Sequence, residues 1–288
     1  MSEAVLHPPR VHLGEIEVTC VNGGRFRLDG GSMFGLVPRP LWEVCLAPDA
    51  AHRVALACNC LLVRQGRETV LVDTGLGARF SEREQEIYAV DAETDLGASL
   101  QAAGVRPEHV TRVVFTHLHF DHFCGALTGT PSDLAPRFPN AVHVVQQQEW
   151  EDALAGRSTM RATYRAVEMQ ALAGMVPLQL VAGDVLLAEG VSTWVTGGHT
   201  SGHQGVRVQA GERVLLYPAD IVPTRWHVNP YWCTAYDMAP YDTLQRKLEF
   251  LPGACQEGWL VAWNHDPQEP WGRILCDGRR YAAGPAGS

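Results

Sequence analysis

The chain has 288 residues, 46% hydrophobic and 19% charged, with 23 basic against 32 acidic side chains for a formal net charge of −9. This composition supports a packed core and excludes disorder, collagen and coiled coil as overall descriptions. The acidic balance argues against nucleic acid or an anionic membrane surface as a partner, and no apolar run reaches the length of a membrane span. The opening stretch, MSEAVLHPPRVHLGE, has no basic start followed by an apolar run, so no signal peptide is expected. Eight cysteines without a Cys-x-x-Cys pair read as reduced thiols, and a cytoplasmic location is expected. With no linker, low-complexity tract or charge block, residues 1–288 are expected to form one domain.

Residues 11–21 alternate as an opening strand. The glycines and prolines of 22–40 predict an irregular segment, a flap over a site, with Met33 and Phe34 at its tip. Residues 53–63 and 69–73 form a hairpin ending at Asp73-Thr74-Gly75. A helix follows over 94–103, with Thr94 or Asp95 as N-cap and Gly104 as C-cap. The strand 110–116 runs into His117-Leu118-His119-Phe120-Asp121-His122. Further on, 140–146 reads as a strand, 149–155 and 161–173 as helices, and 191–196 as a strand ending in GGHTSGH. A second hairpin, 206–209 with 213–217, ends at Asp220; its VQAGERVLLYPAD echoes the VRQGRETVLVD that ends at Asp73. Residues 221–240 are irregular and aromatic, 242–251 helical, and 259–263 a strand followed by Asn264-His265-Asp266.

Four donors in six residues make HLHFDH the strongest chemical signal. In an extended or turning segment 117, 119 and 121 project to one side, which leaves His122 for a second, adjacent metal. Imidazole and carboxylate donors suit zinc, and also manganese, iron or cobalt; the lack of thiolates argues against a closed structural zinc site. His199, Asp220 and His265 each follow an apolar β-run, so all can gather at one edge of a rigid frame. His203 reads as a supporting residue.

These residues, in this order, resemble the metallo-β-lactamase superfamily: HLHFDH matches its H-x-H-x-D-H signature, and the Asp73, GHTSGH, Asp220 and His265 positions follow in sequence. The resemblance implies an α/β (α+β) fold, a four-layer αββα sandwich of two mixed sheets with outer helices. It implies two divalent ions, zinc foremost. His117, His119 and His199 would hold one, Asp121, His122 and His265 the other, with Asp220 between them and Asp73 and Thr116 orienting the ligands. A hydroxide held between the ions would attack an ester or lactone carbonyl.

The loop is similar to that of acyl-homoserine lactonases, which place a tyrosine shortly after the bridging aspartate. Here Pro223 stands three residues past Asp220, leaving Tyr231 or Tyr236 to polarise the carbonyl. Phe34, Phe120, Trp226 and Trp232 are the expected pocket for an apolar small-molecule substrate. Asp121 is the residue on which turnover should depend most directly. Alternative readings are a glyoxalase-II-like thioester hydrolase, whose only basic candidate is Gly278-Arg279-Arg280-Tyr281, an aryl phosphotriester hydrolase, and a metal-stabilised binding module. Relatives of this kind are often homodimers.

Overall fold

The computed structural model describes residues 8–160, 162–278 and 280–287. A hairpin, β1 (Arg10–Leu13) and β2 (Ile16–Asp29), leads through the short helices α1 (Gly30–Phe34) and α2 (Arg39–Trp42) to β3 (Arg53–Gln65) and β4 (Glu68–Val72). Helices α3 (Glu82–Tyr88) and α4 (Leu96–Ala102) precede β5 (Arg112–Val114) and the single turn α5 (Phe120–Phe123). A small hairpin, β6 (Leu127–Thr130) and β7 (Asp133–Pro136), is followed by β8 (Val142–Gln146), α6 (Gln147–Leu154), α7 (Ala166–Ala173) and β9 (Leu178–Val181). The first sheet has the order β1-β2-β3-β4-β5-β8-β9. The rest of the chain builds the second sheet from β10 (Leu186–Ala188), β11 (Val191–Val195), β12 (Gln204–Ala210) and β13 (Arg213–Tyr217). Helix α8 (Pro240–Gln256) then crosses to β14 (Leu260–Ala262), β15 (Trp271–Cys276) and β16 (Tyr281–Gly284). Both sheets are mixed: β4, β5, β8 and β9 run parallel to one another, as do β13 and β14, and the remaining pairs are antiparallel.

Three apolar layers follow from the two-residue period of the strands. Val70 and Val72 of β4 and Val114 of β5 meet Leu215 and Tyr217 of β13 between the sheets. The intervening Leu71 and Val113 face outward, onto Leu96, Leu100, Met169 and Leu172 of the helices. Leu216 and Val261 turn the other way, onto Phe250, Leu251 and Ala254 of α8. A strand covered on both faces must be apolar at successive positions, which is why VLV and VLL read as unbroken runs. The result is the expected αββα order. All eight cysteines are free.

The segment 22–40 departs from its expected irregularity. Residues 22–29 continue β2, paired with β3 across a bulge between Asn22 and Arg25, and 30–34 are helical. One glycine of the segment, Gly23, serves a close approach of two backbones. A Cβ at Gly75 would lie 2.1 Å from the Gly23 carbonyl oxygen, and Leu76 N–H donates to that oxygen at 2.9 Å. The predicted helix at 161–173 begins only at Ala166, and Arg161 lies outside the described residues. The run 278–281 contributes the first residue of β16, with Arg279 outside the described residues. Among the described residues no helix is long and apolar enough to cross a membrane.

Candidate metal centre

Seven side chains converge at one edge of the sandwich. His117 and His119 come from the segment after β5, Asp121 and His122 from α5, His199 from the loop after β11, Asp220 from the 3-10 turn after β13, and His265 from the loop after β14. All are buried. Their donor atoms fall into three compact groups: His117 with His119 and His199, His117 with His122 and Asp220, and Asp121 with His122 and His265, each within 4.8 Å. The segment bends at His119, so Asp121 does not alternate with 117 and 119 as an extended chain would; the helical turn carries it and His122 to the second group. Asp220 divides its two oxygens between the sides. Oδ2 lies 3.3 Å from His199 Nε2 and 3.9 Å from His117 Nε2, while Oδ1 lies 3.3 Å from His122 Nε2 and 3.2 Å from His265 Nε2.

The outward nitrogens decide which inward ones carry lone pairs. His122 Nδ1 donates to Asp73 Oδ2 at 2.9 Å, His199 Nδ1 to Asp237 Oδ1 at 2.8 Å, and His265 Nδ1 to the Ala57 carbonyl at 2.8 Å. Carboxylates and carbonyls only accept, so in each neutral ring the proton sits on Nδ1 and Nε2 carries the lone pair; that of His199 lies 3.1 Å from His119 Nδ1. Thr116 Oγ1 gives its hydrogen to Asp73 at 2.9 Å and so accepts from His117 Nδ1 at 3.1 Å. The Nε2 atoms of His117 and His122 are buried with no hydrogen-bond partner among the described residues. Unpaired buried acceptors facing two carboxylates are what a divalent cation requires, so this donor set fits a metal pair.

Charge points the same way. Burial, with His122 and His119 beside it, holds the His117 imidazole well below its usual pKa. Burial alone would raise Asp220, but the imidazoles of His265, His122 and His199 hold its carboxyl well below the ordinary range. His117 is therefore neutral and Asp220 ionised, while Asp220 and its fellow carboxylates draw protons onto His122, His199 and His265 against the effect of burial, protons that a divalent ion would displace.

Other residues fix the loops. Asp220 N–H donates to His203 Nε2 at 3.2 Å, and Asn264 Nδ2 donates to Asp220 Oδ1. Buried Glu149 accepts from Leu118 N–H at 2.9 Å and from the Thr200 hydroxyl, tying the HLHFDH loop to the GHTSGH loop. Gly202 permits that contact, since a Cβ there would lie 2.2 Å from Glu149 N. Sequence reading missed Glu149, Asn264 and Asp237. A glutamate on a short helix and an aspartate among aromatics carry no local mark of burial.

A cavity of about 310 Å3 opens onto His119, Asp121, His199, Asp220 and His265. Leu28, Met33, Phe120, Met160 and Ala162 give it an apolar wall; Tyr88, Thr163, Thr234 and Tyr236 complete it, and no Lys or Arg is among its described lining residues. Of the four expected pocket residues Phe120 lines the cavity, as does Tyr236, one of the two tyrosines expected to polarise the carbonyl. Phe34 is fully buried, stacked 5.5 Å from Trp42 and 4.9 Å from His227, and its neighbour Met33 takes the place assigned to it. Trp232 packs edge-on to Phe34, Trp226 lies beneath Arg225, and Tyr231 is 74% exposed; none of the three lines the cavity. Of these loop aromatics it is Trp232, edge-on to Phe34, that packs the 221–240 loop onto the domain.

Comparison with known proteins agrees with this geometry. The family model described as the metallo-beta-lactamase superfamily matches residues 53–254. The N-acyl homoserine lactonase AttM of Azorhizobium caulinodans is 30% identical over 182 residues, 59% of this chain and 63% of that protein's length. A probable metal-dependent hydrolase from Staphylococcus aureus superposes with a TM-score of 0.83 at 27% identity, over 95% of this chain and 99% of that one. AidC, a dizinc quorum-quenching lactonase in complex with a product, superposes with a TM-score of 0.77 at 21% identity, over 98% of each chain.

Proposed function

As the chain belongs to the metallo-beta-lactamase superfamily, we propose that it is a metal-dependent hydrolase that opens lactones and cleaves esters of apolar acyl groups. The observation that carries this reading is the division of the Asp220 carboxylate between two sets of imidazole Nε2 atoms. His117, His119 and His199 with Asp220 would hold one divalent ion, and Asp121, His122 and His265 with Asp220 the other. Two such ions, zinc foremost, supply a water acidic enough to attack near neutral pH and a Lewis acid for the carbonyl oxygen.

The chain's own residues do the rest. Asp73, Asp237 and the Ala57 carbonyl hold the imidazoles in the tautomer that presents Nε2, so no reorganisation is needed when the ligands are engaged. Tyr236 lines the cavity with Asp121 and Asp220, and burial pushes its hydroxyl up to about 12, which keeps it a proton donor at working pH. It would donate a hydrogen bond to the carbonyl oxygen as charge develops there. Leu28, Met33 and Phe120 would hold the acyl group and exclude water from it. The apolar wall of Leu28, Met33, Phe120, Met160 and Ala162 favours an apolar acyl group over a highly charged glutathione conjugate.

Metal analysis of the purified protein tests the reading, paired with hydrolysis rates on N-acyl homoserine lactones, aryl esters, aryl phosphotriesters and lactoylglutathione. Two ions per chain and fastest turnover of a lactone or ester are expected. Bound metal without turnover of any substrate would leave a metal-stabilised binding module.

A further inference from the structure

Thr163 is a polar residue in the apolar wall formed with Met160 and Ala162. It is 2% exposed, and its buried hydroxyl has no hydrogen-bond partner among the described residues. An unpaired buried hydroxyl destabilises a fold, whereas a valine of the same shape does not, so the group calls for a partner that the described residues do not supply.

The backbone that carries it is fixed beside the cluster. Tyr164, the next residue, forms an antiparallel bridge with His119, and its hydroxyl donates to Glu149 at 3.1 Å. Thr163 N–H donates to the Met160 carbonyl at 3.2 Å. Thr234, the other threonine of the wall, is already committed, donating to Asp237 Oδ1 at 2.9 Å. A 120° turn about χ1 carries the Thr163 hydroxyl to the place its methyl now holds, and the methyl to that of the Cβ hydrogen, with no backbone movement.

We propose that Thr163 determines specificity: its hydroxyl hydrogen-bonds an amide or hydroxyl group that the substrate carries next to its scissile ester. This rests on the hydrolase reading and narrows it. A substrate with such a group is favoured over a purely aliphatic lactone of equal size.

The test is a matched pair, N-hexanoyl homoserine lactone and a γ-butyrolactone with an α-alkyl chain of the same length. Thr163→Val should raise KM for the amide-bearing lactone about fivefold to tenfold, the scale of one hydrogen bond, and leave the alkyl lactone within about twofold. Its thermal midpoint should not fall. Calorimetric binding of the ring-opened amide product should weaken by the same factor, and Thr163→Ser should restore discrimination. If the valine variant fails to fold, Thr163→Ala must shift the ratio of kcat/KM between the two lactones in the same direction. An unchanged ratio in the variants lacking the hydroxyl overturns the role of Thr163 and leaves the hydrolase reading standing. Wild-type protein that turns over neither lactone overturns both.

Discussion

Two hairpins of the same build deliver two aspartates to the same edge of the molecule, one in each sheet. Asp73 follows β4 directly, at the end of the β3–β4 hairpin; Ala219 and Asp220 stand in the 3-10 turn just after β13, at the end of the β12–β13 hairpin. Both exits pass through a left-handed residue, Asp73 itself at φ 59° and Ala219 at φ 46°, a conformation uncommon outside glycine that turns the chain sharply off the strand. The two carboxylates nevertheless do different things. Asp73 accepts from Thr116 N–H at 2.8 Å, from the Thr116 hydroxyl, from His122 Nδ1 and, at 3.3 Å, from the Tyr217 hydroxyl. With its lone pairs spoken for, it can only orient. Asp220 accepts a hydrogen bond from Asn264 and otherwise faces the Nε2 atoms of His122, His199 and His265, the positions from which a ligand set would bind metal. Equivalent positions in two similar hairpins are separated into support and ligand by how many donors surround each oxygen.

Substitutions can break that comparison. The largest effect is expected from Asp220→Ala, which removes the one group shared by both donor sets. Metal analysis should show both ions lost or severely weakened and turnover abolished, and full activity with two ions retained would end the proposed assignment. Asp121→Ala comes next: it should cost the ion on the His122 and His265 side and almost all turnover, with circular dichroism showing the fold intact.

Asp73→Asn should act more gently. Its new NH2 would meet the Nδ1–H of His122, forcing the ring to the other tautomer and placing a proton on the Nε2 that faces Asp220. A loss of about 10- to 100-fold in metal affinity or activity is the scale for such supporting groups. A titration against a chelator measures it, and an effect as large as that of Asp220→Ala would erase the distinction between the two hairpins.

Smallest is Tyr236→Phe, expected to slow lactone turnover about tenfold or more through kcat, as loss of a hydrogen bond made to developing charge does. Tyr231→Phe, at an exposed side chain away from the cavity, should leave the rate unchanged. The opposite outcome for the pair would reassign the donor.

Much of the centre was legible because its donors are local signals. HLHFDH concentrates four of them in six residues, and His199, Asp220 and His265 each stand just past an apolar strand, where a loop must turn over the sheet edge. The aromatic pocket was not legible. Phe34, Trp226 and Trp232 have the composition of a binding site, but their rings pack on Trp42, His227, Arg225 and one another instead. Gly23 was misleading for a related reason: it answers to the approach of Gly75, a contact that no local pattern records.

By itself, then, the order of residues determined the chemistry of the donors and the apolar faces of each strand, because ligand type and strand period are properties of neighbouring residues; the two-sheet architecture was implied by the resemblance that those donors carry. Only the tertiary structure decided which aspartate is saturated, which tyrosine reaches the cavity, and that Asp237, Asn264 and Glu149 support the centre. Each of those depends on hydrogen-bond partners brought from distant segments, Glu149 to Thr200 and Asp73 to Tyr217 among them, and such partners exist only once the two sheets have packed together.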